Sequence, residues 1–125
     1  MVLVDSSVYI YLLRRGQDPV EELAGRFEAT EIVGCDLVRC EVLRGVINPK
    51  AKADLAAFFD LLIHVTMDYR AWEETEKLAW RLDRTGKVLP LTDLIIAICA
   101  LRSDAAVLTR DHHFSLVPQL QLASW

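Results

Sequence analysis

The chain has 125 residues, 53% of them hydrophobic, with 18 acidic against 14 basic side chains. That length specifies one domain, residues 1–125, with a core of its own, and the net charge of −4 excludes a broad basic surface for nucleic acid. No apolar run approaches the roughly 20 residues of a membrane span, no leader peptide opens the chain, and three cysteines without zinc spacing predict reduced thiols in a cytoplasmic protein.

Val2-Leu3-Val4 is an uninterrupted apolar run, the pattern of a strand buried on both faces of a parallel sheet. Asp5-Ser6-Ser7 follows, and Ser6 or Ser7 is placed to cap a helix from Val8 to Arg15. That helix is apolar almost all round from Val8 to Leu13, which calls for cover on every side. Gly16-Gln17-Asp18-Pro19 breaks the chain, and Asp18 caps a second helix that carries Val20, Leu23 and Phe27. Glu31-Ile32-Val33 reads as a strand, Asp36–Val46 as a helix stopped by Asn48-Pro49, and Ala51–Leu62 as the next helix. Ile63–Thr66 is a third strand. Asp68–Arg84 is the longest helix, closed by Gly86 in a left-handed cap. A helix from Leu91 or Thr92 to Leu101 and a strand at Ala105–Thr109 come next. Leu120-Gln121-Leu122 alternates like an edge strand. Strands alternate with helices throughout, which predicts an α/β fold with a mainly parallel sheet of four to five strands in three α/β/α layers.

Four of the acids are placed for chemistry. Asp5 and Asp111 each follow an apolar strand, and ligands of open α/β sheets bind at the carboxyl edge of the strands. Glu41 lies among Val38, Val42 and Gly45 on its helix, and Gly45 leaves room for a close approach. Asp93 heads the apolar stripe of Ile96, Ala97 and Ala100. Each has an ordinary explanation: a helix cap for Asp5, a surface pair with Arg44 for Glu41, a dipole contact for Asp93, a turn for Asp111. Together they form an all-oxygen set suited to Mg²⁺ or Mn²⁺, because converging carboxylates repel one another without a cation. Setting them aside leaves 14 acids against 14 bases. Adjacent His112 and His113 read as loop residues, and Trp72 and Trp80 as core or interface. No phosphate-binding glycine loop is present, and a receiver domain is disfavoured because no Lys follows Lys87.

The residues Val2-Leu3-Val4-Asp5-Ser6-Ser7-Val8, Glu41-Val42-Leu43-Arg44-Gly45, Asp93-Leu94-Ile95-Ile96-Ala97 and Thr109-Arg110-Asp111-His112-His113-Phe114 resemble, in order and over almost the whole chain, the acidic motifs of the PIN-domain nucleases. Within that family they are similar to the VapC-type toxins of prokaryotic toxin–antitoxin pairs. The resemblance implies Asp5, Glu41, Asp93 and Asp111 as catalytic and metal-holding acids, with Ser6, in place of a more usual Thr, and Thr109 as supporting hydroxyls. It implies a Mg²⁺- or Mn²⁺-dependent endoribonuclease in which metal-activated water cuts RNA to 5′-phosphate and 3′-hydroxyl ends. Arg14, Arg15, Arg39, Arg44 and Arg110 are candidate phosphate contacts. It further implies a homodimer and a small cognate antitoxin, for which the first helix and the Phe58–Phe59 helix are candidate surfaces. The alternative is a PIN-like regulatory or binding module without activity.

Overall fold

The computed structural model describes residues 1–125. Four strands form one parallel sheet: β1 (Val2–Val4), β2 (Ile32–Cys35), β3 (Ile63–Val65) and β4 (Ala106–Leu108), in the order β3-β2-β1-β4. Six helices connect and cover them: α1 (Ser6–Arg14), α2 (Pro19–Ala24), α3 (Asp36–Leu43), α4 (Pro49–Leu61), α5 (Tyr69–Arg84) and α6 (Leu91–Arg102). The α/β class and the parallel sheet are as expected. Every residue of β1 and β2 is buried, so both faces of the central strands are covered. The predicted last strand is reduced to one parallel bridge, Val107 to Leu122, at the free edge of β4.

The chain builds β1, then β2, then β3 outward on one side, and returns through α5 and α6 to lay β4 on the other side of β1. The order therefore switches at β1, and a crevice opens at the carboxyl ends of β1 and β4. The register seats the two strands side by side, Val2 on Ala106 and Val4 on Leu108. The Asp5 amide continues the ladder by donating to the Leu108 carbonyl at 2.9 Å. Residues 5 and 109 thus leave the sheet together.

α6 is the central helix. Leu94 to Ala100 are all buried, as a helix enclosed by protein requires. α5 is amphipathic, with Ala71, Thr75, Leu78 and Leu82 inward and Trp72 and Trp80 exposed, which makes the two tryptophans surface rather than core. Phe58 and Phe59 are buried, and Phe59 packs on buried Tyr9 of α1 at 5.1 Å between centroids. This removes the Phe58–Phe59 pair as a docking surface: it closes the core under α1. In α1 itself Val8, Tyr9 and Leu12 are buried, while Ile10, Tyr11 and Leu13 are partly exposed.

Three local readings are corrected. Ser6 and Ser7 do not cap α1; Asp5 holds the cap position without accepting a backbone amide of the helix, and the serines lie in the first turn. Asn48-Pro49 starts α4 rather than merely stopping α3: the Asn48 side chain accepts from the Lys50 and Ala51 amides, and Pro49 needs no partner in the first turn. Gly45 faces mostly open space, where a Cβ would meet only the Val42 carbonyl at 3.7 Å, so within this chain no element packs closely on it. The close approach is at Gly34 of β2, where a Cβ would lie 3.3 Å from that of Leu62. Gly86, with φ +78°, takes the left-handed position after α5.

Candidate active site

Asp5 ends β1 and is 3% exposed. Such a carboxylate needs donors, and three hydroxyls supply them. Ser7 Oγ donates to Asp5 Oδ2 at 2.7 Å, Thr109 Oγ1 to the same oxygen at 2.8 Å, and Ser6 Oγ lies 3.4 Å from Oδ1. Ser6 and Ser7 reach Asp5 because α1 starts immediately after it. Thr109 reaches it because β4 is paired to β1.

The other acids are tied to the same group. Ser6 Oγ also lies 3.2 Å from Oε1 of Glu41, in the second turn of α3. Thr109 Oγ1 accepts the Asp111 amide at 2.9 Å, and Ser7 Oγ accepts the Arg110 amide at 3.0 Å, which fixes the loop after β4. Asp111 then caps a short 3₁₀ turn, His112–Leu116, by accepting the His113 amide at 2.9 Å. That turn brings His113 Nδ1 to 3.2 Å from Asp111 Oδ1 and 3.3 Å from Asp93 Oδ2, in the first turn of α6. A continuous polar path therefore runs Glu41–Ser6–Asp5–Thr109–Asp111–His113–Asp93. All four predicted acids stand at one edge of the sheet.

Their charges are felt across that edge. Burial raises the Glu41 carboxyl above its ordinary value, and the Asp5 and Asp93 charges raise it further, against the Ser6 hydroxyl. Burial likewise raises the Asp93 carboxyl; the His113 contact opposes this, and the Asp111 and Asp5 charges add to it. Asp93, Asp111 and His113 each offer a ligand atom, and these atoms lie within 4.8 Å of one another. The donor set, mainly carboxylate oxygens, fits a hard divalent cation.

Two members escaped the sequence reading. His113 is no bystander loop residue; the Asp-x-His spacing, which lets Asp111 cap the turn, was the available signal. Ser7, seen only as a cap, is the closest donor to Asp5. Of the arginines, Arg39 is tied to Asp60 at 2.6 Å, whereas Arg14, Arg15, Arg44 and Arg110 form no ion pair. Glu41 and Arg44 do not pair directly, though the Arg44 charge lowers the Glu41 pKa somewhat.

The sequence matches the family description "PIN domain" over residues 2–120. The chain belongs to the PIN-domain family. No curated protein matches it. Among solved structures, a chain of VapBC from Salmonella typhimurium, solved bound to DNA, is 20% identical with a TM-score of 0.79, covering 99% of this chain and 97% of that one. A chain of VapBC2 from Rickettsia felis, bound to a DNA fragment from its promoter, is 22% identical with a TM-score of 0.76, covering 100% and 99%. FitAcB from Neisseria gonorrhoeae gives 18% and 0.75, covering 98% and 97%. At these identities the likeness is one of fold, and it places this PIN domain's full length on that fold.

Proposed function

We propose that this PIN domain is a Mg²⁺- or Mn²⁺-dependent endoribonuclease, the VapC-type toxin of a type II toxin–antitoxin pair. The observation that carries the reading is the meeting of Asp5, Glu41, Asp93 and Asp111 at the topological switch of a parallel sheet, braced by Ser6, Ser7 and Thr109. Carboxylates gathered there make little structural sense without a cation; Asp93 and Asp111, whose ligand atoms lie with that of His113 within 4.8 Å of one another, would hold it together with Asp5 and Glu41 at the same edge. A divalent cation supplies positive charge at a phosphodiester and a water made nucleophilic near neutral pH.

The chain's own groups do the rest. The three hydroxyls hold the Asp5 carboxylate in place at the carboxyl end of β1. Glu41, positioned by the Ser6 hydroxyl beside Asp5, is placed to accept the proton of the attacking water. Arg14, Arg15, Arg44 and Arg110 are free to meet the phosphates. Cleavage leaves a 5′-phosphate and a 3′-hydroxyl. The chains it resembles in fold come from complexes named VapBC, which supports a small antitoxin partner. Tyr69, Trp72, Trp80 and Ile47 are exposed, and apolar surface of this kind supports contact with that partner and with a second copy of the chain. The proposed place of action is the cytoplasm, where RNA and a cognate antitoxin would both be met.

The test is cleavage of RNA by the purified protein with Mg²⁺ or Mn²⁺, beside Asp5→Asn and Asp93→Asn. Wild type alone should cut, and chelation should stop it. Equal cleavage by wild type and variants refutes the site. Cation binding with no cleavage of any RNA favours the inactive module.

A further inference from the structure

Beside the acidic edge lies a cavity of about 330 Å³, lined by Val8, Tyr11, Leu12, Leu108, Thr109, Arg110 and Trp125. Its floor is apolar, since Val8, Leu12 and Leu108 are buried. Its rim is aromatic and cationic. The Arg110 guanidinium lies 3.5 Å from the Tyr11 ring centroid, Arg15 lies 5.3 Å from the same ring, and Arg26 lies 4.2 Å from Trp125. None of the three arginines forms an ion pair; the arginine ion pairs of this chain belong to Arg39 and Arg102. Arg110 in the lining, with Arg15 and Arg26 against its Tyr11 and Trp125, puts three arginines without ion pairs at this cavity on a chain of net charge −4, an arrangement that attracts a polyanion.

The cavity touches the candidate active site through shared residues. Thr109 lines the cavity and donates to Asp5, and the Arg110 amide is held by Ser7. A group in the cavity is therefore within one nucleotide's reach of a phosphate at the acids. The volume lies at the small end of ligand pockets, which run from about 300 to 1,000 Å³, and suits one flat ring system.

We propose that this cavity is a nucleobase subsite: one base of the substrate strand, adjacent to the bond being cut, enters between Trp125 and the Arg110 guanidinium, which is itself stacked on Tyr11. The aromatic rings offer stacking, the arginines offer stacking and donors to base or phosphate, and the buried floor excludes water. The subsite rests on the nuclease reading and sharpens it, because it fixes where the strand is cut relative to an inserted base.

The experiment uses a fluorescein-labelled single-stranded RNA in which an abasic nucleotide is walked through each position. Binding is read by anisotropy on the full chain carrying Asp5→Asn, with and without Tyr11→Ala. One abasic position should weaken binding about ten-fold, and Tyr11→Ala should weaken binding of the intact strand by a similar factor. The two losses should overlap, so that together they cost no more than about two-fold beyond either alone. Arg110→Ala, at an exposed side chain, provides a second cycle if Tyr11→Ala does not fold. Losses that multiply, or a scan in which no position matters, overturn the subsite and assign the cavity to another occupant, such as a side chain of a protein partner. Because binding is read without turnover, a strand that engages the cavity but is never cut by the unaltered protein sinks the nuclease reading and leaves the subsite standing.

Discussion

Thr109 is the joint between β4, Asp5 and the Asp111 loop, and Thr109→Val isolates what its hydroxyl contributes. Valine keeps the shape of threonine and removes two bonds, the 2.8 Å donation to Asp5 and the 2.9 Å acceptance from the Asp111 amide. A hydrogen bond to a charged group contributes about 1.5–3 kcal/mol, and an orphaned amide costs about 1–3 kcal/mol where water cannot replace the partner. Thr109 is only half-buried, and Asp5 keeps Ser7, so the low ends of both ranges apply. The expected loss is about 2–3 kcal/mol in urea titrations at an unchanged slope. A domain of this size shifts in Tm by roughly 3–5 °C per kcal/mol, and ordinary domain stabilities of about 5–15 kcal/mol leave the variant folded. Thr109→Ser keeps the oxygen and both bonds, and should recover most of the loss. RNA cleavage should fall further than stability does, because Asp5 and Asp111 lose their common anchor. A loss below about 0.5 kcal/mol, or a serine variant no better than valine, refutes the account.

Stability of the cation-free protein should fall as pH rises. Glu41 and Asp93 have raised carboxyl pKa values in the fold, so the folded state binds more protons than the unfolded one between the ordinary and the raised values. The loss therefore begins near the ordinary carboxylate range and is complete above the raised values; Glu41→Gln and Asp93→Asn should each flatten the slope of urea stability against pH. Two glycines should respond oppositely to alanine in thermal melts. Gly34→Ala presses a Cβ against Leu62 and should cost about 1–3 kcal/mol, whereas Gly45→Ala faces open space and should gain about 0.4–1 kcal/mol.

The parts of this fold that were legible in sequence are those with local causes. β1 and β4 are continuous apolar runs, and α5 carries its stripe at helical spacing with Asp68 at its cap. Asp5 and Asp111 could be singled out because each follows such a run. Glu41 and Asp93 could not be tied to Asp5 by any local rule; residue order resembling a known family joined them, and strand order explains how they meet. The misreadings have a common origin. Asn48 is at once the end of one segment and the cap of the next, and only the bonds from Lys50 and Ala51 decide between the two. Ser7 and His113 each carry a local sign, Asp5 two residues before the one and Asp111 two residues before the other, but the partners that tie them into the site, the Arg110 amide and Asp93, lie far along the chain. The Phe58–Phe59 pair looked like free surface because the α1 residue packed on Phe59, Tyr9, comes from the other end of the chain.

The hydroxyl count at Asp5 has one more consequence. Each hydroxyl owns a single proton. Those of Ser7 and Thr109 are committed to Asp5, and that of Ser6 is shared between Asp5 and Glu41. The remaining lone pairs of Ser7 and Thr109 are already met by the Arg110 and Asp111 amides. No hydroxyl is left with a hydrogen to offer outward. What these hydroxyls present outward is acceptors, so they brace the acids but offer nothing to an anion, and any positive charge at this edge has to come from elsewhere.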